Sequence, residues 1–272
     1  ELNHNIELIV SIGFFVCLAG FVDDRINLNP SNKIILIIIP SIYLILEGVS
    51  ISDLGQYEYI GNLELGKFKI PFLLLAVGLL INATNYIDGI DGLLLTFFLS
   101  CLTYYIFLID DPKTVNLLKF FLAVSFLNLI LNLLPAKNKL KIFSGDSGSL
   151  FIGFFISFLT IELYNSFKIH PAVLIWPLWY PVYDFIFVTI NRLIKKKSIL
   201  KPDTSHLHHI INNKFNRNRI IPLIIFFITN SSIIFLGYKL SEISKLLSLI
   251  VFIVGFAFFF TMRFFLFKEI KN

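Results

Sequence analysis

Residues 246–267 read LLSLIVFIVGFAFFFTMRFFLF. A bilayer core of about 30 Å needs roughly 20 apolar residues in helical form, and this run supplies them. Working back along the chain, eight runs of the same kind appear, at 6–22, 34–49, 70–87, 93–109, 117–134, 150–164, 171–190 and 220–238. The expected fold is therefore all-α: a polytopic transmembrane helix bundle of about nine spans. The run at 70–87 is the weakest, because its strongly apolar part stops at Ile81. Pro171, Pro177 and Pro181 predict a kink in the run at 171–190. No internal repeat recurs at a fixed period and the connections are short. Residues 1–272 are accordingly expected to form a single integral-membrane domain.

Composition agrees with this reading. The 272 residues are 56% hydrophobic and only 15% charged, with 31 Phe, whereas soluble domains carry about 25% charged residues. That excludes a disordered chain and argues against an ordinary cytosolic enzyme. Cys17 and Cys101 both lie in apolar runs, which excludes a disulfide scaffold and a Cys-rich metal site. The net charge of +5 needs no nucleic-acid partner, since an excess of Lys and Arg in cytoplasmic loops gives the same sign. The chain opens on Glu1, so its natural N-terminus is expected to be missing. No basic segment with a cleavage site marks the first run as a signal peptide.

Alternation of the spans sorts the loops by side. The loops around 23–33, 88–92, 135–149 and 191–219, with the C-terminus, fall together and carry 16 of the 23 Lys and Arg; the opposite side carries 7. The positive-inside bias makes the first side cytoplasmic. The unusual polar clusters, remote along the chain, all land on that side.

Four clusters carry the chemistry. Asp23-Asp24 closes the first span; adjacent carboxylates repel and become favourable beside Mg²⁺ or a cation, and Lys33 stands where it could return to pair with them. The plain alternative is a solvated polar loop. NATNYIDGIDGL, 82–93, sets Asn82, Asn85, Asp88 and Asp91 three apart, as on one face of a helix or tight turn; polar side chains at membrane depth are costly and usually face a cavity or partner. The alternative there is a polar re-entry loop. FSGDSGS, 143–149, offers backbone N–H groups to phosphate at a helix start, the Asp146 carboxylate to Mg²⁺ and the Phe143 ring for stacking, or else a helix capped by Ser147 or Ser149. KPDTSHLHHI, 201–210, holds His206, His208 and His209 behind a basic stretch. Zinc would need further ligands, and Asp203 is the only close carboxylate. Imidazoles beside lysines suit phosphate oxygens better, unless this is an ordinary basic loop. Asp184, inside the span at 171–190, is read as a structural ion pair with Arg192 on one helical face. Together the clusters form an inventory for a pyrophosphate with Mg²⁺ at a membrane boundary, suited to phosphoryl transfer between a soluble nucleotide and a lipid phosphate.

In the order and spacing of these four motifs the chain resembles the polyprenyl-phosphate N-acetylhexosamine-1-phosphate transferases of glycosyltransferase family 4, over nearly its whole length. The resemblance implies a UDP-N-acetylhexosamine donor, undecaprenyl phosphate as acceptor, Mg²⁺ or Mn²⁺ as cofactor and release of UMP. It also implies the initiating step of a cell-envelope polysaccharide, in the bacterial inner membrane with a cytoplasmic active site. Asp146 would bind the metal and Phe143 would stack on uracil. Asp23 would act as base or orienter of the lipid phosphate, with Asp24 and Lys33 beside it. Asn82, Asn85, Asp88 and Asp91 would order the nucleotide-sugar and its metal, and His206, His208 and His209 would contact phosphates or sugar. About two further helices usually precede the Asp-Asp motif in this family. A branch using the muramyl-pentapeptide nucleotide, a transporter with a cytoplasmic-face ion site, and a homodimer stay open at this point.

Overall fold

The computed structural model describes residues 2–26, 28–196, 198, 206–214 and 220–271. Its long helices are α1 (Leu2–Ile26), α2 (Pro30–Leu46), α3 (Lys69–Ile87), α4 (Leu93–Leu108), α5 (Pro112–Leu133), α6 (Gly145–Asn165), α8 (Trp179–Ile194), α10 (Ile220–Ile243) and α11 (Lys245–Lys271), with shorter α7 (Pro171–Leu174) and α9 (Leu207–Lys214). Among the described residues, six helical stretches are long and apolar enough to cross a membrane, and two shorter apolar helices cover Ile35–Leu46 and Leu93–Leu108. The protein is a multi-pass helical membrane protein. The expected kink is present: α7 stops at Leu174, a 3₁₀ turn holds Trp176–Leu178, and α8 starts at Trp179. Pro177 has no N–H for an α-helical bond at that point.

Two features depart from what the sequence led us to expect, and the first departs from the all-α fold itself. The loop expected over 50–69 contains a hairpin, β1 (Asp53–Tyr57) with β2 (Gly61–Glu64), paired antiparallel through Tyr57↔Gly61 and Asp53↔Glu64 with an irregularity between. Strands of four and five residues are too short for an alternating pattern to declare itself. Tertiary contacts fix the hairpin instead: Tyr164 of α6 donates to Asp53, and His170 lies 2.9 Å from the Gln56 carbonyl. The second departure is α9, a helix within the segment expected to be a basic loop.

α6 is the axis of the bundle. Phe154, Phe155 and Ile156 have no exposed surface, and the helix is gripped by α1 on one side and α3 on the other. Two glycines permit this. A β-carbon on Gly20 of α1 would lie 2.5 Å from the Ser147 nitrogen, and one on Gly153 of α6 would lie 2.6 Å from Ile81 Cα. Thr84 of α3, fully buried, donates across the same contact to the Ser149 carbonyl at 3.0 Å. The outer faces carry the opposite pattern. Phe120, Phe126 and Leu127 of α5, and Ile253, Val254 and Phe258 of α11, are exposed, as befits side chains that face lipid tails. The C-terminal ends of α1, α3 and α8 and the N-terminal ends of α2 and α6 meet at one end of the bundle; the hairpin covers the other.

Candidate functional site

At the first end, Lys33 joins two acidic segments 123 positions apart. Its Nζ lies 2.7 Å from Asp23 Oδ2 and 2.7 Å from Asp146 Oδ2. Asp23 is held from behind by the Leu28 N–H at 2.9 Å. The other oxygen of Asp146 accepts from Asn85 Nδ2 at 2.5 Å, and the same Asn85 amide reaches Ser149 Oγ at 2.8 Å. The expected return of Lys33 to the Asp-Asp pair is thus observed for Asp23, and Asn85 and Asp146 share its cluster.

Asp24 does something the sequence did not foretell. Its carboxylate accepts from the Asp146 N–H at 2.9 Å and from Ser147 N–H and Oγ at 3.3 and 3.1 Å. Neither Ser147 nor Ser149 caps α6; the cap comes from another helix. A carboxylate in the last turn of α1 opposes that helix's dipole, but here it lies on the N-terminal end of α6, where negative charge is favoured. Asp24 therefore sets the position of the Asp146 backbone.

Asp88 follows the last residue of α3. Burial, then the charges of Asp146, Asp91 and Asp24, push its carboxyl up to about 7. Asp91 pairs with Lys141 at 2.8 Å, and Lys141 also donates to the Asn132 and Leu134 carbonyls. Lys141 Nζ stands 4.9 Å from the centre of the Phe143 ring, which is 69% exposed and flanks a cavity of about 260 Å³ between α4, α5 and α6. Asn82, by contrast, bonds back to the Gly78 carbonyl of its own helix at 2.9 Å, not to the acidic cluster.

The histidines divide by role. His206 and His208 are both 3% exposed; His209 is half-buried. A β-carbon on Gly89 would lie 2.7 Å from His208 Nε2 and 2.9 Å from His209 Nε2, so both rings close over the backbone beside Asp88. His208 Nδ1 meets the Tyr180 hydroxyl at 3.1 Å. Burial, which outweighs the nearby Asp184 charge, lowers the His208 pKa to about 3 and favours its neutral ring. Asp184 bonds to His206 Nδ1 at 2.7 Å and stands 3.4 Å from an Arg263 nitrogen, partners that spacing along α8 does not disclose. Asp203 lies outside the described residues.

No group of three or more His, Cys, Asp or Glu side chains among the described residues is close enough to hold a metal unaided. Mg²⁺ does not require one, because it keeps several waters and usually takes one or two carboxylates plus substrate phosphates. The hard oxygen donors of Asp146 and Asp88, and the crowding that holds Asp88 protonated near neutrality, fit such a cation.

The cluster lies at one end of a membrane-protein bundle, and comparison with known proteins gives the class. The sequence profile of glycosyl transferase family 4 matches residues 6–164, and the chain belongs to that family. It is similar to a probable undecaprenyl-phosphate N-acetylglucosaminyl 1-phosphate transferase of Bacillus subtilis (strain 168), 32% identical over 206 residues, covering 74% of this chain and 56% of the relative. It is also similar to the undecaprenyl-phosphate alpha-N-acetylglucosaminyl 1-phosphate transferases of Escherichia coli (strain K12), 31% identical over 71% of this chain and 54% of the relative, and of Yersinia pestis, 29% identical over 75% and 58%. The chain spans about half the length of the curated relatives it matches. Membership of this family displaces the transporter alternative.

Proposed function

We propose that the protein transfers N-acetylhexosamine 1-phosphate from a UDP-sugar to undecaprenyl phosphate, releasing UMP, as the first step of a cell-envelope polysaccharide. In this reading all nine apolar segments span the inner membrane and the site end faces the cytoplasm, as the distribution of Lys and Arg favours. The observation that carries the reading is the Lys33 bridge between Asp23 and Asp146, which joins an acceptor-side carboxylate to a donor-side one.

An oxygen of the lipid phosphate attacks the sugar-linked phosphorus of the donor. The bond from that phosphorus to the bridging oxygen breaks, and the oxygen leaves with UMP; one anhydride replaces another. Asp23, anchored by the Leu28 N–H, orients the lipid phosphate or takes its proton. Asn85 and Lys33 fix the two oxygens of Asp146. Asp146 and Asp88 would hold Mg²⁺, which when bound offsets charge on the pyrophosphate. Phe143, exposed at the rim, stacks on the uracil, and His209, the most accessible of the three imidazoles, reaches the donor's phosphates or sugar. A cavity of about 300 Å³ between α3, α6 and α8 follows α3 from Phe72 to Leu80, one turn short of Thr84. Its almost wholly apolar lining suits part of a prenyl tail.

The test is UMP release from UDP-N-acetylglucosamine and undecaprenyl phosphate with Mg²⁺, by the full chain in lipid nanodiscs. Wild type should turn over, and Asp146→Asn should lose at least about 100-fold, the scale seen when one charge-stabilising group is removed. No release with any UDP-amino sugar from folded protein would end this reading.

A further inference from the structure

Behind the histidines lies a set of charged groups that the reaction above does not use. Asp184 is 2% exposed and Arg263 has no exposed surface. They belong to α8 and α11, within the apolar body of the bundle. Asp184 Oδ2 meets His206 Nδ1 at 2.7 Å, while Oδ1 accepts from the Leu207 N–H at 3.1 Å and lies 3.4 Å from an Arg263 nitrogen. The Arg263 guanidinium sits over the Phe187 ring at 4.9 Å. Burying an ion pair this deeply is a poor route to stability, because desolvation consumes most of the Coulombic gain. What the pair does hold is the start of α9, by one backbone N–H and one ring nitrogen.

From there the geometry continues to the site. His206 lies stacked between Tyr86 and His208, with ring centres 5.0 and 5.6 Å away, and His209 follows at 4.3 Å from His208. Tyr86 sits two residues before Asp88 on α3, and His208 and His209 close over Gly89. An ionised carboxylate only accepts hydrogen bonds. Asp184 therefore requires a proton on His206 Nδ1. The ring's orientation and tautomer are thus both set from outside the site, in the manner of carboxylates behind metal-bound histidines.

We propose that Asp184 and Arg263 are positioning residues: their buried pair fixes His206 and the first turn of α9, and so sets His209 against the Asp88–Gly89 turn. The proposal rests on the transferase reading for its kinetic consequences, though not for its structural ones. It is tested in the full chain in nanodiscs with Asp184→Asn, Arg263→Met and Arg263→Lys, using UMP release, thermal unfolding and nitrogen NMR of labelled histidine, with His206→Gln assigning the signal.

In wild type the His206 signal should be that of the Nδ1–H tautomer. Asp184→Asn should move it toward Nε2–H and lower kcat about 10–100-fold, the range for such supporting partners, with a smaller change in KM for the UDP-sugar. Arg263→Met should lower kcat at least about tenfold, and Arg263→Lys should restore most of it. The proposal is overturned if the His206 signal is unchanged in both Asp184→Asn and Arg263→Met. It is equally overturned if kcat stays at wild type in folded variants, or if losses follow unfolding alone with no rescue by lysine. Should Asp184→Asn fail to fold, the Arg263 pair decides. Should wild type release no UMP, the transferase reading falls while the tautomer measurement still decides the positioning claim.

Discussion

Replacing Gly153 by alanine tests whether the contact between α3 and α6 sets the site. The added methyl carbon would lie 2.3 Å from Thr84 Oγ1, 2.6 Å from Ile81 Cα and 3.1 Å from the Leu80 carbonyl oxygen. The last two are backbone atoms, so rotating the Thr84 side chain does not relieve the clash; reaching the 3.4 Å of ordinary contact with Ile81 Cα moves one helix by about 0.8 Å. Helix propensity acts the other way, since alanine is favoured over glycine by about 1 kcal/mol. Overpacking costs about 1–3 kcal/mol and should win, because two of the three nearest atoms are main chain and the third is a buried, hydrogen-bonded hydroxyl. The same displacement stretches the Asn85–Asp146 bond from 2.5 Å to beyond 3 Å and strains the Thr84–Ser149 bond. A misplacement of about 1 Å can cost 100-fold in rate, so kcat for UMP release should fall by about 10–100-fold. Gly78→Ala, whose methyl would find its nearest neighbour at 3.9 Å, is the control and should keep wild-type rate and stability. Thermal unfolding and turnover are measured on both in nanodiscs. If Gly153→Ala matches Gly78→Ala in each, close approach of these helices does not fix the site, and the reasoning fails.

Three other outcomes are expected. Asp24→Ala removes the cap of α6 and should destabilise the protein by about 1–2 kcal/mol, with Asp24→Asn losing less; chemical denaturation measures both, and equal stability of wild type and Asp24→Ala would refute the cap. Phe143→Ala should raise KM for the UDP-sugar about tenfold, as loss of one base–aromatic stack implies, with kcat little changed; a fall in kcat at constant KM would place Phe143 elsewhere in the reaction. Asp88 keeps its proton to about pH 7 in the folded protein, against an ordinary value of 3.8. Its contribution to stability is therefore full below about pH 4 and lost as pH rises through 7. Unfolding in EDTA should show this decline, Asp88→Asn should flatten it, and Mg²⁺ should stabilise wild type more at pH 8 than at pH 5. Equal effects of Mg²⁺ at both values would contradict it.

How far the sequence disclosed this site depends on which contacts are local. Lys33 and Asp23 stand only ten positions apart, and their pairing could be read from spacing. Asn85, Asp88 and Asp91 sit at one helix end, where periodicity places them. Asp24 is different: its function as a cap depends on α1 lying beside α6, which rests on Gly20 meeting Ser147. Spacing along its own helix pairs Asp184 with Arg192, yet its carboxylate meets His206 and Arg263, brought there by chain folding over 22 and 79 positions. The histidine motif was visible, but its division into two buried rings and one accessible ring was not, because burial belongs to the packed bundle. The hairpin left no periodic trace in its four- and five-residue strands.

That hairpin also reaches further than its size suggests. Glu58, in its turn, accepts from the first N–H groups of α11, Lys245 at 3.0 Å and Leu246 at 2.8 Å. From Lys245 to Arg263 the helix runs about 27 Å at 1.5 Å per residue, close to the thickness of the hydrocarbon layer. One rigid rod is thus pinned at its head by a glutamate on the far shore of the membrane, while its lower end bears on the anchorage of α9. The hairpin and the anchorage of α9, at opposite ends of the bundle, are thereby tied to one and the same helix.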